Sequence, residues 1–165
     1  MVWRSSRRAA VVTVALSAAL ALAATACSSD EGEEGGATGA TGGGTTVDVT
    51  LQEFAVIPSA SSVPAGSITF EATNEGPNDP HELVVFATDL APDALPTRED
   101  GGVDEEGEGV TLIGEIEEFE PGSAESGTFT LEAGNYVLIC NLVEEEEGAL
   151  ESHYQEGMRV AFTVT

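Results

Sequence analysis

The chain contains no lysine, and its Lys+Arg total of 5 stands against 30 acids, a formal charge of −25 over 165 residues. A surface so short of cations repels phosphates, which excludes nucleic acid and anionic lipid head groups as electrostatic partners. Cysteine, histidine and methionine are equally scarce, with 2 of each. So few thiols exclude a disulfide framework. No Ser-His-Asp set and no phosphate-binding glycine loop is present, and nothing singles out a carboxylate pair, so the chain reads as a non-enzyme. The longest apolar run, residues 9–24, is too short to span a bilayer as a helix. No long amphipathic helical period occurs either.

What is present begins with a targeting segment. Arg4, Arg7 and Arg8 form a basic n-region and residues 9–24 an apolar h-region. Ala24, Thr25 and Ala26 then precede Cys27, an ending that resembles a bacterial lipobox, with Ala24 where leucine is usual. That reading makes residues 1–26 a signal peptide and Cys27 a lipidated N-terminus. The alternative is ordinary secretory cleavage near Ala24–Ala26. Both place the folded part outside the cytoplasm, lipid-anchored at the cell membrane in the first case and secreted in the second. Residues 27–46 are rich in Gly, Ser, Thr and acid, and cannot bury enough surface to offset their conformational entropy. They read as a flexible tether. Residues 47–165 are long enough for one domain with its own core.

Every acid and two arginines, Arg98 and Arg159, follow the leader. This surface would steer a basic redox protein, or simply keep a monomer soluble. Within the domain, Val47, Val49 and Leu51 alternate with polar residues as in a half-buried strand. Further strands are expected at 54–57, 68–72, 81–86, 112–119, 127–131, 135–140 and 158–164, with turn chemistry at 63–66 and 74–77. Residues 90–95 read as a single helical turn, and the acidic, Gly-rich stretch 98–109 as a solvated loop. Its Asp104-Glu105-Glu106 lacks the alternating spacing of a calcium loop. About eight short strands indicate an all-β fold, a Greek-key sandwich or barrel.

The scarce soft ligands fall into one order. His81 opens a strand; Cys140 ends another; His153 and Met158 follow as His-x4-Met before the last strand. Singly, each has a plain reading: a surface histidine, a buried thiol, a core methionine. Cys140 nevertheless has no partner in the domain, and an unpaired exported thiol needs burial or a metal. Two imidazoles, a thiolate and a thioether together suit copper.

These residues are similar to those of the cupredoxins, the plastocyanin-like blue copper proteins. Asp79-Pro80-His81-Glu82-Leu83-Val84-Val85 resembles the family's first ligand strand. Asn135 to Asn141 resembles the strand ending in the cysteine ligand, and His153 to Met158, leading into Ala161-Phe162-Thr163-Val164, the final ligand loop. The resemblance covers the whole domain. It implies one copper ion alternating between Cu(I) and Cu(II), held by His81, Cys140 and His153, with Met158 as a weak axial ligand.

Two departures stand out. Residues 141–152, including the Glu144 to Glu147 run, separate Cys140 from His153 where the family has only a few residues. They either loop out and return, displace His153, or bring a carboxylate to the metal and produce a non-blue centre. Glu82 stands where the family commonly has asparagine, whose amide donates toward the thiolate. Three functions follow as expectations: a tethered electron carrier, a copper capture or delivery protein, and a metal-free adhesive or structural sandwich. Two histidines leave no ligands for multicopper chemistry.

Overall fold

The computed structural model describes residues 44–146 and 148–165. The expected signal peptide, Cys27 and nearly all of the expected tether therefore lie outside the described residues. Eleven strands and one helical turn follow in order. They are β1 (Thr45–Gln52), β2 (Ala55–Pro58), β3 (Ser62–Val63), β4 (Gly66–Asn74), β5 (His81–Ala87) and β6 (Thr111–Phe119). Then come β7 (Ala124–Leu131), β8 (Gly134–Ile139), β9 (Val143–Glu146), β10 (Ala149–Ser152), α1 (His153–Glu156) and β11 (Arg159–Val164).

A four-stranded sheet runs β2-β1-β4-β7 and a five-stranded sheet runs β3-β11-β8-β5-β6. Both are mixed, because β1 pairs with β4, and β11 with β3, in parallel. The period-2 alternation decides the inner faces. Val47, Val49 and Leu51 of β1 face Ile68, Phe70 and Ala72 of β4 along one buried layer. Leu83, Val85, Tyr136, Leu138, Phe162 and Val164 complete the same core from the other sheet. Burial of such alternating apolar positions is the main stabilising term, at about 25 cal/mol per Å2.

The all-β sandwich expected from the sequence is the fold found, with more strands than expected. Two of the additions, β9 and β10, form a separate hairpin made from the stretch between Cys140 and His153. Another, β3, occupies part of the stretch read as a turn.

Strands β5 and β8 are buried on both faces. Their inner residues join the sandwich, while Val84, Phe86, Val137 and Ile139 meet Leu95, Val103 and Tyr154 on the outside. This corrects the reading of 98–109 as simply solvated. Val103 is completely buried, its N–H donates to Asn141 Oδ1, and its carbonyl accepts from Asn141 Nδ2 at 3.2 Å. An acidic composition hid a single apolar anchor. Residues 90–95 hold a turn closed by Ala94 N–H on Ala91 O at 2.9 Å, and no helix.

Candidate metal centre

His81 is delivered by the turn 75–80 at the start of β5. Asn74, fully buried, holds that turn: its Nδ2 donates to Asp79 O at 2.9 Å and Phe119 O at 3.1 Å, and its Oδ1 accepts from Gly76 N–H at 2.9 Å. Glu53 Oε1 accepts from Asn78 N–H at 3.0 Å and Asp79 N–H at 2.8 Å. Burial alone would raise the Glu53 carboxyl, but these backbone donors outweigh it and hold it below the usual carboxylate range. Sequence reading missed both residues. A polar Asn at the end of a strand, just before Gly76-Pro77, was the available signal.

Cys140 follows β8 directly and is completely buried and unpaired. Its N–H donates to Met158 O at 3.1 Å, tying the two ligand-bearing segments together. The backbone N–H of Glu82 points at Sγ from 3.5 Å, while the Glu82 side chain accepts from Asn141 N–H at 3.1 Å. Donation toward the sulfur thus comes from the main chain at residue 82, whatever its side chain.

The insertion returns. Val143 pairs with Ser152 at the base of the β9–β10 hairpin, and His153 N–H donates to Leu142 O at 3.0 Å. The chain beyond Leu142 is therefore a closed excursion whose ends meet, and His153 stays beside Cys140. Ser152 caps α1 by accepting from Gln155 N–H, and Gly157 ends it at φ 131°. That one turn explains the His-x4-Met spacing: it reverses the chain so that Met158 N–H reaches His153 O at 2.9 Å.

Three donor atoms converge. His81 Nδ1 and His153 Nδ1 are 3.3 Å apart, and Cys140 Sγ lies 3.4 Å from His153 Nδ1 and 4.0 Å from His81 Nδ1. The point in their plane equidistant from all three is about 2.1 Å from each, which is a metal–nitrogen or metal–sulfur bond length. All three residues are completely buried, and so is Met158. His81 Nε2 and His153 Nε2 are both buried without a hydrogen bond. A metal at the centre would take the Nδ1 lone pair of each ring and leave its proton on Nε2. The donor set suits copper in type and in spacing.

Electrostatics agree with a cation at that point. Burial and the neighbouring His153 push His81 down, which favours the neutral ring that a metal requires. Burial pushes the Cys140 thiol up to about 12, helped by the charges of Glu82 and Glu144 and opposed by the N–H groups of Glu82 and Leu142. Such a thiol ionises only when a cation replaces its proton. Around the far side of His153, Glu144 Oε2 lies 3.4 Å from Nε2, close enough for an ion pair although the angle is not that of a hydrogen bond. Asp79 and Glu151 bring donor oxygens within 4.8 Å of the His153 ring. Glu144 thus lies beside the outer nitrogen of His153, with Asp79 and Glu151 near the same ring.

The sandwich is that of the cupredoxins. Among solved structures, dithionite-reduced auracyanin from the photosynthetic bacterium Roseiflexus castenholzii is 23% identical, over 75% of this chain and 99% of that one, with a TM-score of 0.50. Auracyanin A, described as a "blue" copper protein from Chloroflexus aurantiacus, is 17% identical over 74% and 100% of the two chains, with a TM-score of 0.47. An azurin from Methylomonas sp. strain J is 16% identical over 73% and 98%, with a TM-score of 0.45. Of these three the first reaches 0.50, and the fold assignment rests on it. No protein-family model matches the sequence, and no curated protein matches it either. Within this fold His81, Cys140 and His153 form a buried group with metal-ligand spacing, and Met158 is buried and tied by its backbone to Cys140 and His153.

Proposed function

We propose that the protein is a copper-binding electron carrier working outside the cytoplasm. The observation that carries this reading is the convergence of three buried donors on one point about 2.1 Å away from each. His81, Cys140 and His153 are the equatorial ligands, and Met158 is the weak axial one. Bound copper supplies one-electron chemistry through its two oxidation states. The chain's own part is to keep the donors still. His81 is pinned through Asn74 and Glu53, Cys140 through Met158 O, and His153 through Leu142 O and the capped turn. Donors so restrained reorganise little when the ion's charge changes, and electron exchange is correspondingly fast.

Cys27 is the lipid-modified residue in this proposal, residues 27–44 up to the start of β1 the tether, and a redox protein with a basic docking face the partner. Among the described residues no helix is long and apolar enough to cross a membrane. The protein acts as a monomer and not as an enzyme.

Copper loading should produce an intense thiolate-to-copper absorption that Cys140→Ser abolishes; a colour that survives the substitution would refute the assignment. Uptake near neutral pH should release one proton per ion, because burial holds the thiol protonated in the metal-free chain. Copper at a hundredfold excess over Kd should add about 2.7 kcal/mol of stability by linkage. A metal-free structural sandwich would show no such gain. Copper delivery is the second reading, motivated by the acidic residues around His153. The complete burial of all three donors supports holding the ion over releasing it. Reversible cycling on an electrode, against rapid loss to a Cu(I) chelator, separates the two.

A further inference from the structure

Each histidine of the donor set leaves a buried nitrogen unaccounted for on its outer side. Among the described residues, His81 Nε2 and His153 Nε2 have no hydrogen-bond acceptor, and both rings are completely buried. A buried N–H without an acceptor costs about 1–3 kcal/mol. For His153 an acceptor stands almost in place: Glu144 Oε2, on the first strand of the inserted hairpin, is 3.4 Å from Nε2. Glu144 is paired in register with Glu151 across that hairpin. The hairpin base is closed onto the site by His153 N–H to Leu142 O. Reorienting the Glu144 carboxylate so that the Nε2–H points at Oε2 would complete a charge-assisted bond.

Resting on the copper reading above, we propose that Glu144 is a positioning and tuning residue. Its carboxylate accepts the Nε2–H of His153 and lowers the reduction potential of the bound copper. The physical reason is basicity. A carboxylate on the outer nitrogen makes the inner nitrogen a better donor. A better donor, with a negative charge behind it, favours the doubly charged ion over the singly charged one. The Glu144 side chain is 35% exposed, so solvent screens part of the effect. Asp79 and Glu151 lie near the same ring and carry the same sign. Removing Glu144 alone therefore leaves a negative surrounding and isolates the contribution of one bond. The insertion is then more than a cover: it supplies an outer ligand contact that the sandwich strands do not provide.

The test uses the full chain loaded with copper and its Glu144→Gln and Glu144→Ala variants. Glu145→Gln, which removes the same charge from the exposed next position of β9, serves as the control. Outer-sphere partners of metal-bound histidines typically contribute 10–100-fold in metal affinity. A tenfold loss of Cu(II) affinity with Cu(I) affinity unchanged corresponds to about 59 mV, upward. Both Glu144 variants should show that rise, and Glu145→Gln should not. In the diamagnetic Cu(I) form, the side-chain Nε2–H of His153 should be protected from exchange in the parent and exchange faster in Glu144→Ala. Equal potentials and equal exchange in parent and variants, with colour normal throughout, would overturn the role of Glu144 alone. A parent chain that takes up no copper would instead overturn the function proposed above, and this role with it.

Discussion

The two imidazoles of the centre make an instructive pair. Both are completely buried, and their Nδ1 atoms stand 3.3 Å apart beside the same sulfur. They reach that point by different means. His81 starts a strand in the middle of the larger sheet, and the turn before it is bolted to the smaller sheet through Asn74 and Glu53. His153 sits on a single helical turn between an added hairpin and Met158, with the edge of Phe54 against its ring at 5.4 Å. The first ligand is positioned by the framework, the second by local closure. A framework ligand inherits the stability of the core, while a locally closed one depends on a few caps and hydrogen bonds.

The comparison breaks most sharply at Asn74. Asn74→Ala leaves the Asp79 carbonyl and Gly76 N–H of the turn, and the Phe119 carbonyl at the end of β6, without this partner, and should destabilise the metal-free chain by about 2–3 kcal/mol in urea unfolding. Copper affinity should fall with it, because the residues before His81 lose their anchor. A smaller loss, about 1–2 kcal/mol in thermal unfolding, is expected for Gly157→Ala on the other side. There φ is 131° and an added Cβ would lie 3.2 Å from Phe54 O.

Replacing residues 144–151 by an Asn-Gly turn sharpens the same contrast. Val143 and Ser152 are already cross-strand partners, so a two-residue turn can join them. Copper colour should be retained, with stability changed by about 1 kcal/mol or less. The potential should rise as in Glu144→Gln. Loss of the colour would mean that the hairpin itself holds His153 in place.

The smallest effect is expected from pH. Burial pushes the Glu82 carboxyl up to about 7, with Glu115, Glu105 and Glu117 adding to it and the Asn141 N–H opposing. Since the folded value lies above the unfolded 4.5, the stabilising contribution is full below pH 4.5 and is lost as pH rises through 7. The copper potential should fall over the same window, because an ionised carboxylate beside Cys140 favours the higher charge. Voltammetry from pH 5 to 9 should show this slope in the parent and a flat line in Glu82→Gln.

Much of the fold was legible along the chain because buried strands impose a period of two. Val47, Val49 and Leu51, or the unbroken apolar run of β8, announce their faces directly. The candidate ligands stood out for a different reason: soft donors are so few that their order along the chain is itself informative. The hairpin was not legible. Its glutamates carry little β-propensity, and only pairing across it makes them strands. Nor was the role of Val103, a lone apolar residue in an acidic stretch, whose burial depends on a surface assembled from β5, β8 and Tyr154.

Composition, alternation and spacing by themselves determined an all-β domain with one set of soft ligands and a strongly acidic surface, because those properties are local to the chain. Whether residues 141–152 carried His153 away or brought it back was a tertiary matter. The answer lies in hydrogen bonds between positions far apart in sequence, Leu142 with His153 and Cys140 with Met158. The same holds for the carboxylate at the outer nitrogen of His153: Glu144 meets that ring only because the hairpin closes, and no linear pattern encodes that closure.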